Sequence, residues 1–420
     1  MKTKLNLAVA SALLAAASSA NAGIMIPAGD WTLDIGGVVN AYYTSTRFSG
    51  TATGLGLGND TGTSTASNIT TGLLPNYLSV SGKTRQNDLD VGFTISINPG
   101  VSTTASGKQS AQQENRQAFL TFGDKSWGSI KLGKDLGIYA SDAILNDMTL
   151  LGVGSAAGAL AGNTTTLGRI GTGFMYADWK SQVAYSSPNW NGFSFTGGVT
   201  QAWNAQTAQA AGSTSSGRGG ASPAFEGKAS YEWAGDFGGK VWVSGITQKV
   251  RGLSNATGFT VDPVSGIAAP GSANTLVAGK SETADAWDIG GTVNVAGFGL
   301  TGYYGQGEGT GTTIQLRDGF DTNGDARDSD DWYVQGTFTI PTVGTKLGVS
   351  YGESSLDGNT VDAFNDLTTK MWTIGAYHPI TKHLNLVAEY SDVKGEKDNK
   401  IIADTDGKTR TISLGAILFF

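Results

Sequence analysis

Beyond its first 22 residues the chain has no run approaching 18 consecutive apolar side chains, yet apolar residues recur at every second position in segment after segment. A helix crossing a bilayer needs about 20 predominantly apolar residues, so none is available here. A period of two instead places successive side chains on opposite faces of a β-strand. From Trp31 to Tyr43 the odd positions carry Trp31, Leu33, Ile35, Gly37, Val39, Ala41 and Tyr43, while the even ones include Thr32, Asp34 and Asn40. Leu89, Val91, Phe93, Ile95 and Ile97 alternate in the same way with Asp88, Asp90, Thr94 and Ser96, as do Trp332, Val334, Phe338 and Ile340 with Asp331, Gln335 and Thr337. One greasy face and one polar face per strand suit a closed barrel in lipid, where every backbone group is satisfied between strands.

Strand segments begin near Trp31, Leu74, Asp88, Arg116, Ser129, Ser181, Phe193, Phe225, Lys240, Ala286, Phe298, Asp331, Thr345, Lys370, His383 and Thr409, sixteen in all. Short links fall around Gln86, Lys125, Asn189, Asp236, Gly297, Thr342 and Thr381. Long ones cover 49–72, 99–115, 138–168, 204–224, 251–283, 309–329, 354–369 and 395–408. Strict alternation of short turns and long loops is the mark of bacterial outer-membrane barrels, with the short turns periplasmic. A soluble sandwich or propeller does not predict it. Trp31, Trp127, Trp190, Trp203, Trp233, Trp287, Trp332 and Trp372 fall at or near strand ends, where amphipathic rings form interfacial girdles. The last segment alternates Ile412, Leu414, Ala416 and Leu418 and stops at Phe420.

The amino terminus sets the compartment. Lys2 and Lys4 precede an apolar stretch from Leu5 to Ala17 and a small-residue end, Ala20-Asn21-Ala22, the layout of a cleaved secretory signal. Residues 1–22 are therefore expected to be a signal peptide, and 23–420 a single all-β barrel domain. Its removal takes away two lysines and moves the formal charge from −7 to −9, which gives a nucleic-acid partner no electrostatic support. The chain has no cysteine and two histidines, His378 and His383, so thiolate sites and most histidine-based catalysis are excluded. Its 62 glycines, roughly twice the usual share of about 7 %, include Gly36, Gly37, Gly92, Gly290, Gly291, Gly336 and Gly415 inside alternating strands.

Taken together these segments resemble the general diffusion porins of Gram-negative bacteria over nearly the whole mature chain. Asn115-Arg116-Gln117-Ala118-Phe119-Leu120 with 128–134 looks like the family's fourth and fifth strands, and 183–188 with Gly192-Phe193 like its sixth and seventh. The resemblance implies a 16-stranded antiparallel transmembrane β-barrel, usually a homotrimer, with short periplasmic turns, long extracellular loops and a third loop, here 138–168, folded into the lumen. It implies a water-filled channel in the cell outer membrane for passive passage of ions and small hydrophilic solutes. Outer-membrane lipid, lipopolysaccharide and the barrel assembly machinery, the last through Phe420, are the expected partners.

In the family, basic side chains on the wall face acids on the third loop. The matching basic positions are Arg116, Lys134 and Arg169; parity adds Lys131, because Ile130 and Leu132 point outward. The same count places Lys134 toward lipid unless the strand ends or bulges before it. The matching loop acid is Asp147, with Asp142 and Asp135 as further candidates. Relatives often carry Pro-Glu-Phe-Gly-Gly slightly later; here Leu150, Leu151, Gly152, Val153 and Gly154 stand there and the glutamate is missing. Tyr77 replaces a frequent basic residue, and Lys83 and Arg85 share the polar parity near the periplasmic end. The balance of matched charges predicts a weak anion preference.

Asp321-Thr322-Asn323-Gly324-Asp325 places oxygens like the start of an EF-hand loop, a candidate weak Ca²⁺ site through Asp321, Asn323 and Asp325. Ala326 and Trp332 break the rest of that motif. No other cofactor is expected. The alternative to a pore is an outer-membrane barrel enzyme or adhesin with a plugged lumen, but both histidines flank a predicted periplasmic turn.

Overall fold

In the computed structural model each alternating segment is hydrogen-bonded to a neighbour on both sides. The structure describes residues 23–50, 64–101, 113–154, 172–203, 222–251, 259–261, 268–270, 281–312, 316, 318–321 and 324–420. The wall runs β1 (Trp31–Gly50), β2 (Tyr77–Gln86), β3 (Leu89–Pro99), β4 (Ala118–Asp124), β5 (Gly128–Leu136), β6 (Trp179–Ser186), β7 (Phe193–Thr200) and β8 (Ala224–Trp233). It continues through β9 (Phe237–Arg251), β10 (Ser281–Val295), β11 (Phe298–Glu308), β12 (Asp328–Thr339), β13 (Lys346–Asp357), β14 (Phe364–Pro379), β15 (Leu384–Asn399) and β16 (Thr405–Phe419). Each strand pairs antiparallel with the next, and β16 closes on β1 from Val38↔Phe419 to Gly50↔Gly407. The result is a closed 16-stranded antiparallel β-barrel, which leaves no sheet edge in the wall.

The two chain ends complete one strand position. Ile24–Ala28 pairs with Trp31–Ile35 on β1, in line with β16. Phe420 donates its backbone N–H to the Gly37 carbonyl at 3.0 Å and accepts from Gly37 N–H at 2.8 Å. The terminal aromatic residue is thus built into the seam that closes the barrel.

The radial profile is inverted relative to a soluble protein. Val39, Tyr43, Ile95, Leu120, Val183, Val243, Ile289, Leu300, Val349, Ile374, Ile412 and Leu414 are exposed on the outside. Inside, Asn40, Thr44, Thr46, Ser79, Ser96, Gln182, Gln248, Thr373, Ser391, Thr411 and Ser413 are buried. An apolar outer surface of this extent is stable only against lipid. Paired rings mark both of its edges. Trp31–Phe93, Tyr231–Trp233 and Phe298–Phe338 lie toward the short-turn end, with Trp287–Tyr304, Trp332–Tyr351 and Trp372–Tyr390 toward the long-loop end. Along β12 six residues separate Trp332 from Phe338, about 20 Å of strand. Trp203 departs from the girdle expectation: it is buried in the lumen against Tyr139, at a centroid distance of 6.1 Å.

The wall has unequal height. β14, β15, β16 and β1 span 16, 16, 15 and 20 residues, whereas β4 to β7 span 7, 9, 8 and 8. A tilted transmembrane strand needs only about 9–11 residues, so the tall sector stands well clear of the hydrocarbon.

Candidate pore constriction

The connection after β5 turns into the lumen instead of outward. Gly137 N–H donates to the Asp178 carbonyl at 2.8 Å, tying the two ends of the loop together where they leave the wall. Glu226 on β8 then takes hold of it. Its Oε2 accepts from the backbone N–H groups of Ile138 and Tyr139 at 2.7 and 2.9 Å, and its Oε1 accepts from Thr200 Oγ1 at 2.7 Å and from Lys180 Nζ. Four donors on one buried carboxylate offset the desolvation of its charge.

Ala140 adopts a left-handed conformation (φ 59°) and donates to Ser244 Oγ at 3.1 Å, which starts the short helix α1 (Ser141–Leu145). Asp142 on its first turn is clamped between two cations of the wall, Lys228 Nζ at 3.1 Å and Lys240 Nζ at 2.5 Å. Burial works to raise the Asp142 carboxyl, but the two ammonium groups outweigh it and hold it below its ordinary range. A 3₁₀ turn (Met148–Leu151) follows, capped by Asp147, whose Oδ1 accepts from Thr149 N–H at 2.9 Å. Gln335 on β12 grips both sides of this turn, accepting from Met148 N–H at 2.8 Å and donating to the Asn146 carbonyl at 2.5 Å. Ala143, Ile144, Leu150, Val153 and Phe174 pack on Tyr42, Trp242, Tyr303, Tyr333 and Tyr377 of the wall, an apolar core inside the barrel.

Beyond the 3₁₀ turn the loop meets Glu389 on β15, whose Oε2 accepts from the N–H groups of Val153 and Gly154 at 2.7 and 2.8 Å. Tyr377 OH donates to its other oxygen at 2.7 Å. The glutamate absent from the loop at Leu151 is thus answered by one on the wall. Gly152 leaves room for that carboxylate: a Cβ at this position would stand 1.9 Å from Glu389 Oε1 and displace it from the loop amides. Gly152→Ala is expected to push this stretch off the wall, read as faster proteolytic cleavage near residue 152 in the folded barrel; wild-type cleavage kinetics would refute this.

The predicted residues separate into three groups. Lys131, Asp135, Asp142 and Asp147 lie inside. Lys131 faces the lumen opposite Thr121, bonded to Asp135 and 4.9 Å above the Phe119 ring. Asp135 belongs to β5 rather than to the loop. Lys134 is a correction: it pairs in register with Ala118 and Ser181, both exposed on the outer face, so it does not line the pore. No bulge resets its parity. Arg116 precedes β4, outside the registered strand pairs, and is 5 % exposed, pairing with Glu114 at 2.6 Å and lying 5.7 Å from the Trp179 ring center. Arg169 lies outside the described residues.

Tyr77 packs against the loop core. Lys83 shares a face with Ser81, and Arg85 is tied to Asp90 and Asp124 at 2.9 Å each at the short-turn rim. Asp321 accepts from Asp325 N–H and from Asn359 Nδ2, both at 2.9 Å, so its carboxylate closes a turn. Asn323 is outside the described residues, and among the described residues no group of three metal-ligating side chains occurs. Sequence reasoning missed Lys180, Glu226, Lys228, Lys240, Gln335 and Glu389. Their signal was charge at inward parity within strands, as in Phe225-Glu226-Gly227-Lys228.

Comparison with known proteins matches the barrel fold. The sequence model of a family described as Gram-negative porin covers residues 8–398. No curated protein matches the sequence. Among solved structures, the outer membrane channel DcaP of Acinetobacter baumannii superimposes with a TM-score of 0.64 at 15 % identity, over 95 % of this chain and all of that one. The anion-selective porin from Comamonas acidovorans gives 0.56 at 14 % identity, over 93 % and 100 %. OmpT of Vibrio cholerae in its trimer form gives 0.55 at 14 %, over 93 % and 99 %.

Proposed function

Because the chain belongs to the Gram-negative porin family and is an outer-membrane channel, we propose that it is a non-enzymatic diffusion pore with a weak preference for small anions. The observation that carries the sign of the preference is unequal exposure within the constriction ion pairs. The side chains of Lys131, Lys228 and Lys240 keep 19 %, 22 % and 19 % of their exposure, while their carboxylate partners Asp135 and Asp142 keep 7 % and 4 %. Water and solute therefore meet the ammonium side of the pairs with Asp135 and Asp142, whose acids lie behind it, while Lys240 also has an exposed partner, Glu232, at 3.2 Å. In a narrow water-filled lumen with low-dielectric walls the local field outweighs the net charge of −9 left once residues 1–22 are removed.

The pore is proposed to work as a homotrimer, as a similar fold does in OmpT of Vibrio cholerae, after export through residues 1–22 and assembly guided by the terminal strand. The weak anion preference is shared with the Comamonas porin by name only; here it rests on the lysines. Reversal potentials across a planar bilayer in a KCl gradient test it. Chloride is expected to carry the larger current, and Lys228→Gln/Lys240→Gln should move the potential toward the cation side. A wild-type pore that favours potassium would overturn the anion assignment, and an absence of stepwise conductance would favour a plugged barrel.

A further inference from the structure

We propose that the loop between β11 and β12 forms a second narrowing at the long-loop mouth, beyond the constriction, and that it limits the size of the solutes that enter. This rests on the outer-membrane channel reading above. The inner wall gives the first indication. Toward the short-turn end the inward positions of β9 and β10 are polar, with Lys240 opposite Thr292. Beyond Ser244 and Asp288 they become mostly apolar: Ile246, Val250, Ala284 and Ala286, none more than 7 % exposed. An apolar lining has no place against a water-filled mouth, because leaving it wet forfeits its burial energy. Leu316 of the loop covers it. This side chain is 2 % exposed and shares one cluster with those four residues, with Trp203 and with Tyr139 of the third loop.

The loop is held in that position from both ends. Gly309 N–H donates to the Arg327 carbonyl at 2.9 Å and Arg327 N–H to the Gly319 carbonyl at 2.8 Å, so its arms run together. A Cβ at Gly319 would stand 2.2 Å from the Gly309 carbonyl oxygen. Ser329, buried at inward parity on β12, donates from Oγ to the Gly311 carbonyl at 2.9 Å. Leu316 itself sits at φ 58°, uncommon for a residue with a side chain, and its burial offsets that strain. Arg327 ties the knot. Its guanidinium donates to both oxygens of Asp362 at 2.8 and 2.5 Å and to the carbonyls of Asp318 and Phe320 at 2.7 and 3.0 Å, 5.3 Å from the Phe364 ring center. Asp362 belongs to the loop between β13 and β14. Asn359 of that loop donates to the Ala326 carbonyl at 3.0 Å, and its own carbonyl accepts from Lys400 Nζ, beyond β15, at 2.7 Å. Three loops are thus sewn into one rim. The side chains of Arg327 and Asp362 are only 10 % and 6 % exposed, and a bidentate fork of this kind fixes shape as well as charge. Because the two charges cancel, the rim selects by size rather than by sign.

Liposome swelling with neutral oligosaccharides of increasing length, together with reversal potentials in a KCl gradient, tests the proposal. Arg327→Ala/Asp362→Ala keeps the net charge and is expected to pass the longer oligosaccharides severalfold faster than the wild type. Monosaccharide rates and the reversal potential should stay unchanged, because the third loop remains latched to the wall. Arg327→Lys, which keeps the charge without the fork, should fall between. The chain has no cysteine, so Arg327→Cys/Asp362→Cys can be bridged with a cleavable bifunctional thiol reagent. Bridging should restore wild-type exclusion and cleavage of the linker should release it, a comparison made within one folded protein. Equal passage of long oligosaccharides by the bridged and cleaved forms would overturn the proposal, as would wild-type rates in the alanine pair. So would faster passage accompanied by a shifted reversal potential, which would place the effect at the ion pairs of the third loop. A wild type that passes no sugar at all would sink the channel reading and this inference with it.

Discussion

Glu226→Ala is expected to unfasten the inward loop where it leaves the wall. The substitution strands Lys180, whose side chain is 2 % exposed, beside the ring of Trp203 without its carboxylate, and it removes the acceptor for Ile138 and Tyr139 N–H. Breaking one side of a buried ion pair costs about 3–5 kcal/mol, because the remaining charge stays desolvated. The barrel ladder itself is untouched, so the loss should appear first in the loop: noisy, larger and less uniform single-channel currents, together with a lower thermal unfolding midpoint by circular dichroism. Glu226→Gln keeps an acceptor oxygen for the amides but not the charge, and should fall between wild type and alanine. Quiet, wild-type currents from Glu226→Ala would show that the apolar core around Ile144 and Phe174 holds the loop unaided.

Asp142→Asn is expected to strengthen the anion preference while loosening α1. Lys228 loses its counter-charge and Lys240 keeps only Glu232, at 3.2 Å, so one unit of positive field is uncovered beside the inward loop. A unit charge felt at about 10 Å through water is worth roughly 0.4 kcal/mol, with opposite sign for the two ions, or about a fourfold change in the chloride-to-potassium permeability ratio. Reversal potentials measure it; a shift toward potassium would contradict the assignment. Acid should reproduce the substitution in the wild type. The folded carboxyl is held below its ordinary range, so its contribution to loop anchoring is complete above the unfolded value of about 3.9 and is lost as pH falls through the lower folded value. The wild type is therefore expected to keep its selectivity down to about pH 4, and to drift toward that of Asp142→Asn only in stronger acid. Asp142→Asn itself should show no such drift.

Parity made the wall legible. Odd positions from Trp31 to Tyr43 and the terminal Ile412 to Leu418 point outward as their alternation requires, and inward placement of Lys131 follows from the same count. Where parity and family position disagreed at Lys134, register decides for parity, since an unbulged strand cannot turn a single side chain to the other face. Trp203 shows the limit of reasoning from strand ends. It lies just past β7, but Lys180 Nζ stands 4.2 Å from its ring and Gln248 Oε1 accepts from its backbone N–H at 2.8 Å, so its surroundings are luminal.

By itself the sequence determined the class of fold, the number of wall strands, the alternation of turns and loops and the outward face of each segment, because a strand's periodicity is local and survives without knowledge of its neighbours. It did not contain the constriction in readable form. Asp142 finds Lys228 and Lys240 at sequence separations of 86 and 98, and Gly154 finds Glu389 at 235. Those pairings exist only once closure of β16 on β1 brings remote strands around one loop. Only the tertiary structure decided which charges face water beside the inward loop, and which of two oppositely charged partners is the more exposed.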